Sequence, residues 1–141
     1  MQHEALAGGD RAAEMYRLVE DIEAYPQFLP WCAGAVVHER RAGATRATLT
    51  AAFGALRQSF STQNDNIPGE AIRMRLVEGP FRTFEADWRF APLGEGCRLE
   101  FAMRYEFSSA ALAKALAPLF DRIADSMVDA FVRRAAEVYA G

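Results

Sequence analysis

From Cys97 to Phe107 the chain alternates without a break. Cys97, Leu99, Phe101, Met103, Tyr105 and Phe107 share one parity, and Arg98, Glu100, Arg104 and Glu106 the other. A period of two gives a strand one apolar and one solvated face, which is the pattern of antiparallel sheets. The pattern recurs upstream. Phe84, Ala86, Trp88 and Phe90 alternate with Glu85, Asp87 and Arg89, and Ile72, Met74 and Leu76 alternate with Arg73 and Arg75. Leu56 to Asn64 reads as a further strand, as do segments carrying Val36, Val37, Ala47, Leu49, Ala51 and Phe53. Ala42-Gly43, Gly54, Asn66-Ile67-Pro68-Gly69 and Pro92-Leu93-Gly94-Glu95-Gly96 supply the turns.

The period then changes. Leu112, Leu116, Leu119, Phe120, Ile123, Met127 and Phe131 recur at helical spacing, in a helix capped by Ser108 or Ser109 and reaching about Ala140. Pro118 is expected to kink that helix or to start a second one. Upstream, residues 2–7 read as a short first strand ended by Gly8-Gly9. Asp10 is a good N-cap for a helix that buries Met15, Leu18, Val19 and Ile22. A one-sided sheet and a one-sided helix must cover each other. The expected fold class is α+β: a curved antiparallel sheet of about six to seven strands around a long C-terminal helix. Two short helical pieces follow the first strand, and residues 1–141 form a single domain.

The run Tyr25-Pro26-Gln27-Phe28-Leu29-Pro30-Trp31-Cys32 is uncharged and holds two prolines. Each proline fixes φ and removes an N–H, so the run reads as a rigid apolar corner. Together with the residues before it, Asp21 through Cys32 resembles a signature of the coenzyme-Q-binding, START-like proteins, which include the RatA proteins. Glu78-Gly79-Pro80-Phe81 followed by Trp88-Arg89-Phe90 is a second matching stretch. Phe120, Met127, Phe131, Arg134 and Ala135, within Phe120 to Tyr139, are a third. The resemblance implies the helix-grip fold of the polyketide cyclase-like superfamily. It also implies non-enzymatic binding of ubiquinone or a related polyprenyl lipid, in support of respiration or quinone biosynthesis. The RatA branch implies instead a toxin that binds the large ribosomal subunit and blocks subunit association. Related START-like proteins include polyketide cyclases and aromatases. The family usually opens on a longer apolar strand than Ala5-Leu6-Ala7 provides.

The inward parity names a candidate ligand cavity: Phe53, Phe60, Met74, Leu76, Phe84, Trp88, Phe101, Met103 and Tyr105 from the sheet, Phe120, Ile123, Met127 and Phe131 from the helix. Such residues either fill a core or line a gap for an elongated apolar ligand, and both readings stay open. Gln58, Thr62 and Tyr105 share that parity and are candidate polar contacts. Tyr25, Phe28, Leu29, Pro30 and Trp31, with Pro80 and Phe81, are the candidate cavity mouth and membrane contact. Arginine greatly outnumbers lysine, and Arg57, Arg73 and Arg75 are candidate ribosome contacts on the outer sheet face. The alternative is a solvated face where Glu85, Asp87, Glu100 and Glu106 pair with arginines across strands.

Other functions find little support. The net charge is −3, which disfavours a purely electrostatic nucleic-acid or anionic-membrane binder, and no DNA partner is expected. His3 and His38 are the only histidines, and Cys32 and Cys97 are lone cysteines, so neither a catalytic constellation nor a metal site is expected. No cofactor is required; ubiquinone is the expected ligand. No stretch approaches the ~20 apolar residues of a spanning helix, and Met1-Gln2-His3-Glu4 lacks a signal-peptide pattern. The expected location is cytoplasmic, with peripheral contact at the inner membrane.

Overall fold

The computed structural model describes residues 2–7, 12–94 and 96–139, with backbone alone for 2–7. Its elements are β1 (Gln2–Ala7), α1 (Ala12–Glu20), a 3-10 helix (Ile22–Gln27), β2 (Cys32–Arg41) and β3 (Ala44–Phe53). After these come β4 (Leu56–Ile67), β5 (Ala71–Glu78), β6 (Phe81–Leu93), β7 (Gly96–Phe107) and α2 (Ala110–Tyr139). The seven strands form one sheet in the order β1-β7-β6-β5-β4-β3-β2, every neighbouring pair antiparallel. β2 to β7 form a meander, and β1 adds beside β7. α1 and the 3-10 helix therefore carry the chain from one edge of the sheet to the other. Asp10 and Gly8-Gly9 lie outside the described residues.

The alternation becomes burial. Ile72, Met74, Phe84, Ala86, Trp88, Phe90, Leu99, Phe101 and Met103 are each at most 7% exposed, and the charged residues between them face outward. Register shifts at Cys32/Gly34, Val37/Glu39, Ser61/Thr62 and Phe81/Thr83 interrupt the ladders. Extra residues of this kind bend a strand and increase its twist, which curves the sheet around the helix.

α2 fills the concave face. Leu116, Leu119, Phe120, Ile123, Ala124, Met127, Val128, Phe131 and Ala135 are its buried stripe, and it packs against β1, β3, β7 and α1. Each such Leu or Phe contributes roughly 1.5 to 3 kcal/mol through burial. Ser109 is the cap: its Oγ accepts the Leu112 N–H at 3.1 Å. Ser108 instead ties the helix entry to the β5–β6 turn, donating its N–H to the Pro80 carbonyl at 3.0 Å.

Pro118 neither ends α2 nor starts another helix; Ala110–Tyr139 is one element. Pro118 and Lys114 both lie on the exposed side. The Lys114 carbonyl that loses its usual donor therefore faces water, and packing of the opposite stripe carries the helix through.

Gly79 sits where no side chain fits. A Cβ there would lie 2.8 Å from Phe60 Cβ and 3.4 Å from both Leu76 and Phe81. Gly79→Ala should destabilise the fold by about 1 to 3 kcal/mol through overpacking, read as a lower urea midpoint with an unchanged m-value.

Candidate ligand-binding cleft

The corner after α1 is held by short-range hydrogen bonds. The Leu29 N–H donates to Tyr25 O at 2.9 Å and Cys32 N–H to Leu29 O at 3.0 Å, while Trp31 O accepts from Ala52 N–H at 2.8 Å. The Tyr25 hydroxyl donates to the Val19 carbonyl. Two rings dock on α2: Tyr25 lies 5.4 Å and Phe28 5.1 Å from the Phe131 ring, both edge-on. Trp31 (5% exposed) is buried with only one edge toward open space, and Tyr25 (3%) and Leu29 (2%) are consequently core, not lip. The same holds for Pro80 and for Phe81, which sits among Phe60, Phe84, Tyr105, Phe107 and Phe120.

Nor do the two tips form one mouth. Phe81 packs on Phe120 and Phe28 on Phe131. Eleven residues of α2 separate those contacts, roughly 16 Å of helix. Of the expected lip, Phe28 and Pro30 reach the surface, and Phe53 joins them: it is 45% exposed at the end of β3, outside the interior expected for it.

The remaining inward residues do meet, but against one another. Phe60, Met74, Phe84, Trp88, Phe101, Met103, Phe120, Ile123, Met127 and Phe131 are buried in one core, with Leu76 and Tyr105 half-buried at its margin. Trp88 lies 4.5 Å from Phe101 and 5.2 Å from Phe131, centroid to centroid. The polar candidates are engaged internally. Thr62 donates to Asn64 Oδ1 at 2.9 Å, Gln58 donates to Ser59 O at 3.1 Å, and the Tyr105 hydroxyl donates to Asp121 Oδ1 at 2.6 Å.

Open space lies instead beside the core. A cleft of about 840 Å³ runs between the corner, the end of β3 and α2. Phe28, Pro30, Trp31, Ala52 and Phe53 form its apolar side, with Pro118 and Ala130 from α2. Its polar side is Asp121, Asp125 and Asp129, at helical spacing, with Arg122, Ser126 and Arg133. Arg122 holds its guanidinium 4.4 Å from the centre of the Phe53 ring, and Arg134 lies 5.0 Å over Phe28. Among the described residues the buried Nε1 of Trp31 has no hydrogen-bond partner. The Nε1 of Trp88, deep in the core, is orphaned in the same way, so both indoles contribute packing at the cost of a hydrogen bond. The sequence reading missed the α2 side of this cleft. The aspartate repeat was its signal, though such repeats usually mark a solvated helix face.

The arginine expectation needs correction. Arg73 pairs with Asp87 at 3.0 Å and Arg75 with Asp65 at 2.7 Å, so neither offers a free cation. Arg104 pairs with both Glu85 and Asp87, Arg98 with Glu100, and Arg82 with Glu106. Apart from Arg98–Glu100, which lie two residues apart on β7, this is the cross-strand pairing of a solvated face. Arg57 is exposed and makes no such pair among the described residues.

A long helix gripped by a curved antiparallel sheet, with a cleft along the helix, defines the START-like, helix-grip class. Residues 11–132 match the family described as polyketide cyclase/dehydrase and lipid transport, and the chain belongs to it. Its relatives include the ribosome association toxin RatA of Pseudomonas aeruginosa, 40% identical over 91% of this chain and 90% of that protein. Another is the mitochondrial coenzyme Q-binding protein COQ10 homolog B of Xenopus laevis, 31% identical over 89% of this chain and 54% of that protein. The crystal structure of the Zhui aromatase/cyclase from a Streptomyces species superposes with a TM-score of 0.80 at 14% identity. It covers 100% of this chain and 96% of that one, a likeness of fold alone. Among the described residues no helix is long and apolar enough to cross a membrane.

Burial raises the Tyr25 hydroxyl well above its ordinary value of 10.0. Above about pH 10 the unfolded chain therefore sheds a proton that the folded chain keeps, and stability falls as pH rises further. The loss should reach about 1.4 kcal/mol per pH unit for this group. Urea midpoints from pH 8 to 11 should decline less steeply for Tyr25→Phe than for the parent.

Proposed function

We propose that the chain is a non-enzymatic binding protein whose cleft between the corner and α2 takes a polyprenyl quinone, ubiquinone foremost, or a similar lipid. One observation carries this: a cleft of about 840 Å³ with an apolar floor that includes Phe28 and Phe53, bordered by the Arg122 guanidinium. The volume lies within the range of small-molecule sites, and a few polar groups around an apolar floor suit an oriented ring. The quinone carbonyls accept from the Arg122 guanidinium on the polar side of the cleft. The isoprenoid tail leaves across Phe53, Pro30 and Pro118, and these exposed apolar groups are what would touch a membrane during extraction of the lipid. The protein works from the cytoplasm, peripherally at the inner membrane, and presents the quinone to respiratory or biosynthetic enzymes. The name of the Xenopus relative supports the ligand class.

Native mass spectrometry with lipid extraction, on protein purified from its own host, tests the reading. Near-stoichiometric isoprenoid quinone is expected. Ala130→Trp, which fills the cleft, should lower occupancy about tenfold, equivalent to about 1.4 kcal/mol, with the thermal midpoint retained. Protein that is empty and stays empty with quinone-loaded vesicles would overturn it.

A second reading, association with the large ribosomal subunit, is favoured by a different observation. The P. aeruginosa relative and this chain cover each other almost completely, at 90% and 91%, whereas only 54% of the COQ10 relative is matched. Co-sedimentation with purified large subunits checks it, with pelleting expected at low salt. Recovery entirely in the supernatant counts against it.

A further inference from the structure

The convex face of the sheet divides in two. On β5 to β7, Arg73, Arg75, Arg82 and Arg104 each have a carboxylate within 3.0 Å. On β2 to β4 the outward groups are of another kind. Thr48 faces Ser61 and Thr50 faces Ser59 in directly opposed pairs, with hydroxyl oxygens 2.6 and 2.8 Å apart. His38 Nε2 lies 2.6 Å from Thr48 Oγ1 and extends the row onto β2. Arg46 and Arg57 bracket the hydroxyls. Arg46 has only a 4.0 Å contact with Glu39, a carboxylate it shares with Arg41, and Arg57 has no ion pair among the described residues. A cleft of about 810 Å³ runs beside the row, with His38, Arg46, Thr48, Ser59 and Ser61 on its wall and Glu78 as its one acid among the described residues.

We infer that this β2–β4 face docks on RNA, with Arg46 and Arg57 on phosphates and the hydroxyl row against the ribose edge. The inference rests on the ribosome-association reading above and names the surface and the partner chemistry for it. Charge decides between the halves of the sheet. Arg73, Arg75, Arg82 and Arg104 would have to leave carboxylates to meet a phosphate, while Arg46 and Arg57 have little or nothing to leave; Arg89 on β6, which also makes no ion pair among the described residues, stands singly among these paired groups. Arg46 and Arg57 sit about 20 Å apart along the strands, by strand rise, far enough to meet phosphates at two separate places on one strand. Serine and threonine hydroxyls donate and accept, which matches phosphate oxygens and the 2′-hydroxyl alike. The short side chains leave the face flat, as a groove or loop of RNA requires. Val36, 56% exposed on β2, is too small a wedge for a membrane.

The test is binding of the full chain to purified large ribosomal subunits and to protein-free large-subunit RNA over a salt series. Arg46→Gln/Arg57→Gln should weaken both at least about tenfold and lower the log–log salt slope by about 2, since each lost contact releases about one counterion fewer. Arg73→Gln/Arg75→Gln should change affinity less than about threefold, and Glu78→Gln should tighten binding. Thermal midpoints of all variants confirm folding. Equal losses from the two arginine pairs, or none from Arg46→Gln/Arg57→Gln, would overturn this face while leaving ribosome association standing. Binding to subunits but not to their RNA would assign the contact to a ribosomal protein and overturn the RNA partner. A parent chain that binds neither sinks the ribosome reading and this inference together.

Discussion

Everything in this molecule depends on one packing contact: the buried stripe of α2 lying in the concave face of the sheet. Neither partner is stable alone. A thirty-residue helix with Pro118 in its first third is a poor isolated helix, and a seven-stranded sheet with one largely apolar face would aggregate. Their union buries Phe101, Trp88, Phe120 and Phe131 to 1% exposure or less. That depth of burial is why α2 continues past a proline that would otherwise end it. It also explains why the interior is filled. Aromatic rings at 4.5 to 6 Å are already at their preferred spacing, so the sheet and helix close on each other where these rings meet.

A filled grip pushes open space to its margin. The corner from Tyr25 to Trp31 spends its two six-membered rings differently: Tyr25 goes inward onto Phe131, while Phe28 stays at the edge beneath Arg134. The end of β3 runs past the cover of α2, leaving Phe53 half in solvent under the Arg122 guanidinium. The cleft is thus what remains where a straight helix and a curved sheet diverge. Its mixed lining follows from geometry too, because the flank of an amphipathic helix is where its apolar stripe meets its charged face.

Strand parity made the sheet legible before any coordinates, because a period of two states which residues share a face. The same logic failed at places where period carries no information. An uncharged, proline-fixed corner reads alike whether its side chains turn in or out, and only their burial in the fold shows that Tyr25, Leu29 and Trp31 turn in. Phe53 has inward parity, yet it lies one residue before Gly54 at the strand's end, where parity no longer implies cover. Arg73 and Arg75 could not be told from free cations, because their partners Asp87 and Asp65 belong to other strands and depend on register. The aspartates at 121, 125 and 129 looked like an ordinary solvated helix face, which is what they are along most of their length.

The two candidate surfaces draw on the same strand without sharing side chains. β3 sends Thr48 and Thr50 outward into the hydroxyl row, and its last residues, Ala52 and Phe53, into the cleft. The period-two backbone allows this, since neighbouring residues of one strand serve opposite faces and successive pairs serve different lengths of the sheet. Arg46 and Arg57 are exposed groups that do not line the cleft, so changes at the two surfaces should be close to additive in free energy. Sharing a strand is not coupling: coupling requires two arrangements that both sites bias. A fold of this size can therefore carry a lipid cleft and a polar docking face together, and descendants of one ancestor could keep either while losing the other.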